Sequence, residues 1–188
     1  MLLQRQIAWA AEKTAFYRDA FARAGVCAGD VHTPADMNRL PLLERAAWEG
    51  AGAPFFMLAL PLSGLMRMSL LRDSAHGRGI FHCCTQEDVA RRVRSAAQML
   101  SAAGINRASN VLLVGDFTDS RMLDLQYALD TLGAMTMPIG TDASTADIDR
   151  ILSVIVPDTV IVWENLLSPV AAALQEKRIM LHRLVTVG

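Results

Sequence analysis

The sequence predicts an α/β protein: a mostly parallel sheet with helices on both faces, three layers in all, preceded by a helical N-terminal lead. Short apolar runs recur at 111–114, 134–137, 159–163 and 184–187. Between them lie stretches in which apolar residues return at helical spacing, opened by capping residues and closed by glycines. Strands that are apolar throughout, and separated by helices, are buried on both faces, as in a parallel sheet. Residues 1–188 read as one domain, with 1–80 a helical, loop-rich lead and 81–188 the alternating strand and helix region.

The elements follow in order. A first helix is expected from Leu3 to Ala24, with Ile7, Ala10, Ala11, Phe16, Ala20, Phe21 and Ala24 as its apolar stripe. Gly25 suits the left-handed residue after its last turn. Thr33-Pro34-Ala35-Asp36 reads as a helix start, with Thr33 as cap, Pro34 in the first turn and Asp36 at the positive end. Pro41, Pro54 and Pro61 punctuate a loop-rich stretch. Thr85-Gln86-Glu87-Asp88 has the form of a capping box opening a helix that ends near Gly104. Val111–Val114 is a strand, Ser120–Leu132 a helix ended by Gly133, and Ala134–Met137 a strand stopped by Pro138. A helix over Ala146–Val154, a strand over Thr159–Trp163, a helix from Ser168-Pro169 and a strand over Leu184–Val187 complete the series.

Bulk composition narrows the function. Apolar residues make up 52% of the chain, which excludes a disordered tail. Eighteen basic and 19 acidic residues leave a net charge of −1, with no electrostatic footprint for nucleic acid or a membrane surface. The first residues carry no signal-peptide pattern, and the longest apolar stretch, 51–66, is broken by Pro54 and Pro61. Three cysteines, two adjacent, make no disulfide framework, so a cytoplasmic protein is expected. Neither G-x-x-x-x-G-K-[ST] nor G-x-G-x-x-G occurs. The ten methionines read as core filling or as an adaptable apolar lining.

A set of short motifs, in shared order and spacing, resembles phenylacetate–coenzyme A ligases, a branch of the adenylate-forming enzymes. Gln4-Arg5 through Phe16-Tyr17-Arg18 and Ala24-Gly25-Val26 is similar to that family's opening. Leu40-Pro41-Leu42, Pro54-Phe55, Tyr127, Leu132-Gly133-Ala134, Met137-Pro138-Ile139-Gly140 and Pro157-Asp158-Thr159-Val160-Ile161 continue the match. The family's phosphate loop, S-S-G-T-T-G-K-P, falls on Arg72–Gly79, where only Gly77 and the basic Arg78 survive. By resemblance, Ser74, His76, Gly77 and Arg78 are the remnant of an ATP phosphate site; the competing reading is an exposed polar loop. The family's glycine-rich substrate segment is replaced by Gly115-Asp116-Phe117-Thr118-Asp119-Ser120-Arg121-Met122, which makes Asp116, Phe117 and Tyr127 the candidate pocket residues. Asp116 is a candidate site acid, against a plainer reading in which Asp119 or Ser120 caps a helix and the rest is solvated surface.

No catalytic residue and no metal site are assigned. His82-Cys83-Cys84 holds good zinc ligands, but adjacent strand residues point to opposite faces, so the three cannot grip one ion. The resemblance implies the N-terminal part of a ligase, without the later segments that would carry the adenine contacts, a metal-binding acid and a catalytic lysine. Three functions stay open: a truncated, degenerate ligase relative acting by association; an N-terminal fragment of an acid–CoA ligase using ATP, magnesium and CoA with a partner subunit; or a small acyl-ligand binder. A homodimer is expected, buried through the last strand or through Phe55–Met66.

Overall fold

The computed structural model describes residues 2–49, 54–72 and 79–188. The chain forms two compact units, Met1–Thr85 and Gln86–Gly188.

In the first unit the expected N-terminal helix is two helices, α1 (Leu2–Lys13) and α2 (Ala15–Ala24). Thr14 causes the break. It takes extended backbone angles, its hydroxyl donates to the Ala10 carbonyl (2.9 Å), and its Oγ1 accepts the Tyr17 N–H (3.2 Å). A buried threonine therefore caps α2 instead of continuing α1. Gly25 ends α2 in the left-handed conformation at φ 63°, as expected. Ile7, Phe21 and Val31 form a small core, with Tyr17 and Leu40 packed against it. A 3-10 helix over Pro34–Arg39 starts where Thr33-Pro34 predicts; Asp36 accepts the backbone N–H groups of Thr33 and His32. A short α3 (Arg45–Glu49) follows. The unit closes with an antiparallel hairpin, β1 (Arg67–Arg72) and β2 (Gly79–Cys84). The strand β1 has no counterpart in the sequence reading.

The second unit is the three-layer sheet. Its elements are α4 (Gln86–Ala102), β3 (Asn110–Val114), α5 (Ser120–Leu132), β4 (Met135–Ile139), α6 (Thr145–Val154), β5 (Thr159–Trp163), α7 (Leu167–Glu176) and β6 (Arg183–Val187). The four strands are parallel in the order β4-β3-β5-β6. Val111, Leu113 and Ile161 face a core shared with α4 and α5. Leu112, Val114, Val160 and Val162 face the opposite core with α6 and α7. The two-residue alternation of side chains thus feeds both faces, and β3 from Val111 and β5 from Val160 are apolar because both of their faces are covered.

The strand β4 runs through Pro138 instead of stopping before it. The Met135 N–H donates to Ser109 O (3.0 Å) and Ile139 O accepts the Gly115 N–H (3.0 Å). Residues 135, 137 and 139 therefore turn their backbone groups toward β3, and the Pro138 nitrogen points to the open side of an edge strand, where no ladder bond is lost.

Asp158 knots the amino ends of three strands. Its Oδ2 accepts the Asn110 N–H (2.7 Å), its own N–H donates to Asn110 O (3.0 Å), and its carbonyl accepts the N–H of His182 (2.8 Å). Burial pushes the carboxyl pKa up. The Thr159 hydroxyl, the Asn110 N–H and the charges of Arg183 and His182 outweigh it and hold the group below the usual aspartate value. A carboxyl depressed in the folded state stabilises above the unfolded value, about pH 4, and that stabilisation is lost as pH falls through the folded value.

Gly133 closes α5 at φ 70°, and a Cβ there would meet only Arg107 Cβ at an ordinary 3.6 Å. The cost of a side chain is thus conformational. Gly133→Ala is expected to destabilise the protein by about 1 kcal/mol in urea unfolding, with the unfolding slope unchanged.

Candidate functional site

The chain runs from β3 through α5 to β4 on one side of it, and then from β4 through α6 back across to β5 on the other side. The carboxyl ends of β3 and β5 therefore flank the topological switch point, where open parallel sheets bind ligands. Residues 115–121 follow β3 there, and Trp163-Glu164 close β5.

Gly115 opens this loop because α5 approaches closely: a Cβ would lie 2.7 Å from Met122 Cε and 3.2 Å from Met122 Cγ. Asp116 turns back on its own loop, its Oδ1 accepting the Thr118 N–H (2.8 Å) and the Thr118 hydroxyl (2.6 Å). Phe117 packs against the core shared by α4 and α5. Tyr127 is 47% exposed. It stands eight residues beyond Asp119, about 12 Å along the helix axis. Asp116 and Phe117 thus share the carboxyl-end loop, and Tyr127 lies along the helix that leaves it. Ser74, His76, Gly77 and Arg78 lie outside the described residues.

Asp119 is the N-cap of α5, one of the two caps the sequence allows; its Oδ1 accepts the Arg121 N–H at 2.7 Å. The same carboxylate takes the Arg121 guanidinium in a fork, Nε to Oδ1 at 3.1 Å and Nη2 to Oδ2 at 2.9 Å. The guanidinium also donates to the Gly188 carbonyl and lies 5.6 Å from the centre of the Trp163 ring. One side chain thereby joins the first turn of α5, the end of β5 and the end of β6. Beside it, Arg92 of α4 reaches the buried Asp124 (Nε to Oδ2, 2.6 Å) and the buried Ser120 (Nη2 to Oγ, 3.3 Å). The Trp163 indole nitrogen is buried without a hydrogen-bond partner.

Sequence reasoning places Asp119 and Arg121 in one segment but does not find Arg92 or Trp163 beside them. Arg92 is 32 positions from Asp124, and no local spacing signals that pair. On the hairpin, His82 and Cys84 share a face, with Cys84 Sγ 3.5 Å from His82 Nδ1. Cys83 points to the other face, and burial with the neighbouring Cys84 pushes its thiol pKa up. Among the described residues no group of three or more His, Cys, Asp or Glu gathers around a metal-sized space. Nor is any described helix long and apolar enough to cross a membrane.

No family model matches the chain, and no curated protein matches it. Its structure is similar to 2-hydroxyisobutyryl-CoA ligase. With that enzyme's open form, in complex with 2-HIB-AMP and CoA, the TM-score is 0.79 at 18% identity, over 99% of this chain and 42% of that one. With its postadenylation state the TM-score is 0.78 at 18% identity, over 99% and 41%. A luciferase-like enzyme from the nonluminescent mealworm Zophobas morio matches 57% of this chain and 25% of its own, with a TM-score of 0.50 at 20% identity. The chain spans about two fifths of the length of the ligases. The fold is therefore similar to part of the fold of these CoA ligases across nearly the whole of this chain, and the likeness does not single out the phenylacetate branch.

Burial pushes the Asp119 carboxyl up, but the hydrogen bonds and charge of Arg121, with Arg92 nearby, hold it below the ordinary value. Its contribution is complete above the unfolded value, about pH 4, and disappears as pH falls through the folded one. Asp119→Ala is expected to cost about 1 kcal/mol at pH 7 as a lost cap, with the difference from wild type narrowing toward pH 3. Urea unfolding at the two pH values measures it; an undiminished difference at pH 3 would assign the loss to packing.

Proposed function

We propose that this chain is a degenerate, phenylacetate–CoA ligase-like module that does not activate an acid by itself and acts by association. The observation that carries this reading is the occupancy of the switch point. Acid activation with ATP needs donors aimed at the phosphates and room for the reacting carboxylate. At the carboxyl ends of β3 and β5, Arg121 is committed to Asp119, Gly188 O and Trp163, and Asp116 to its own turn. The sequence supports the same reading, since the hydroxyls and the lysine of a ligase phosphate loop are replaced over Arg72–Gly79. Three cysteines free of disulfides fit a reducing, cytoplasmic setting.

A second reading is favoured by the near-complete coverage of this chain by a ligase bound to 2-HIB-AMP and CoA. In it the chain is one part of an ATP-, magnesium- and CoA-dependent acid ligase, completed by further polypeptide. Pyrophosphate release separates the two. With ATP, magnesium and a panel of short aliphatic and aromatic acids, the chain alone is expected to give no acid-dependent release. Turnover by the pure chain would overturn the first reading.

Association centres on β6. It is an edge strand, its Leu184 is 51% exposed, and with Val170, Leu174, Ile179 and Leu181 it lines an apolar groove of about 190 Å³. Light scattering at micromolar concentration is expected to give twice the 20.5 kDa of one chain, and Leu184→Asp to restore the monomer. A wild-type monomer would remove the homodimer and leave a ligase-like partner subunit as the associating species.

A further inference from the structure

The outer side of β6 presents a short row of open backbone groups. Within the sheet Thr159 stands beside Arg183, and the Arg183 N–H donates to Asp158 O (3.2 Å). Successive residues of a strand turn their backbone groups to opposite sides. Arg183, Val185 and Val187 are therefore directed at β5, and Leu184 and Thr186 outward. Among the described residues no strand pairs with that outer side. Two groups flanking the row are already engaged: the His182 N–H donates to Asp158 O (2.8 Å), and the Gly188 carbonyl accepts from Arg121.

These two engaged groups select a register. An open edge is a template for another strand, and a twofold axis lets it pair with its own copy, antiparallel. Centred on Leu184, such a pair would set Thr186 against the engaged N–H of His182. Centred on Thr186, it would set Leu184 against the engaged carbonyl of Gly188. Centred on Val185, the two engaged groups fall opposite each other. Leu184 then lies opposite Thr186 of the second copy, and each N–H and carbonyl of the row finds its complement. The row matches itself at one register.

We propose that two copies of this chain pair β6 against β6, antiparallel, with the twofold axis at Val185. The pairing rests on the association through β6 proposed above and gives it a geometry. The two four-stranded sheets run on as one, with a β4 at each outer edge. Leu184, 51% exposed in the single chain, is covered by Thr186 of the second copy, on the face that carries the apolar groove of Val170, Leu174 and Leu181. Val185 faces its own counterpart as a pair without direct hydrogen bonds.

Cysteine cross-linking tests the register. In an antiparallel pair without direct hydrogen bonds the Cα atoms lie about 4.5 Å apart, within the roughly 4.4–6.8 Å that a disulfide spans. Residues one step off the axis meet their own counterparts diagonally, at roughly 7–8 Å. In the full chain carrying Cys27→Ser, Cys83→Ser and Cys84→Ala, Val185→Cys is expected to oxidise to a covalent dimer on a non-reducing gel. Leu184→Cys and Thr186→Cys are expected to stay single chains. Far-UV circular dichroism checks that each variant is folded. Should the cysteine-free chain unfold, amide exchange of the wild-type chain decides. The Thr186 N–H is expected to exchange about tenfold slower than in monomeric Leu184→Asp, and the Val187 N–H, bonded to β5, equally in both. A wild-type dimer with no Val185 cross-link, an equal cross-link at Leu184, or an unprotected Thr186 would overturn this register and leave the association reading standing. A wild-type monomer in light scattering would overturn both.

Discussion

The amino ends of three strands of the parallel sheet are tied together at Asp158. Parallel strands have no tight turn to set their register; each arrives after a helix and must be aligned by contacts it finds on arrival. Asp158 supplies them where β5 begins. Its carboxylate and backbone N–H take both backbone groups of Asn110 on β3, and its carbonyl takes the first N–H groups leading into β6. Arg183 extends the knot to the end of α4, donating from Nε to Ala103 O at 2.8 Å. Gly104, at φ 84°, lets that guanidinium lie where a Cβ would stand 2.9 Å from Nη2. A one-residue slip of β5 would uncouple all of these bonds and turn Val160 and Val162 into the wrong core.

The opposite end of the sheet is held by different chemistry. At the amino ends the ties are mostly backbone groups, and at the carboxyl ends they run through the Arg121 side chain. A carboxylate fork, a carbonyl and an aromatic face are all reached from one guanidinium. Backbone ties hold whatever the side chains are, whereas a tie through one guanidinium is one that a single substitution could undo.

Most of the fold was legible because the signals were local. Gly25 and Gly133 stop helices at φ 63° and 70°, and the four apolar runs fall on the four parallel strands. The misses have local causes of another kind. Thr14 lies in an unbroken helical pattern, and only its burial and its bond to Ala10 O reveal a cap. Pro138 reads as a strand end unless the strand is known to be an edge, which is a fact of topology. The strand β1 was missed because its apolar residues face outward, against the rule by which strands are recognised. The candidate site was legible in its carboxylates but not in its arginine partners, since ion pairs between α4 and α5 span distances in sequence that no periodicity reports.

Pro138 also gives the sheet a direction of growth. Both outer strands, β4 and β6, present a row of backbone groups to whatever approaches. On β4 that row is interrupted at its penultimate residue by a nitrogen with no hydrogen, a device by which natural sheets discourage a further strand. The row on β6 carries no proline, and its Leu184 stands beside an apolar groove. A sheet blunted on one side and receptive on the other can pair once and then terminate, because the far edge of each copy rejects the next.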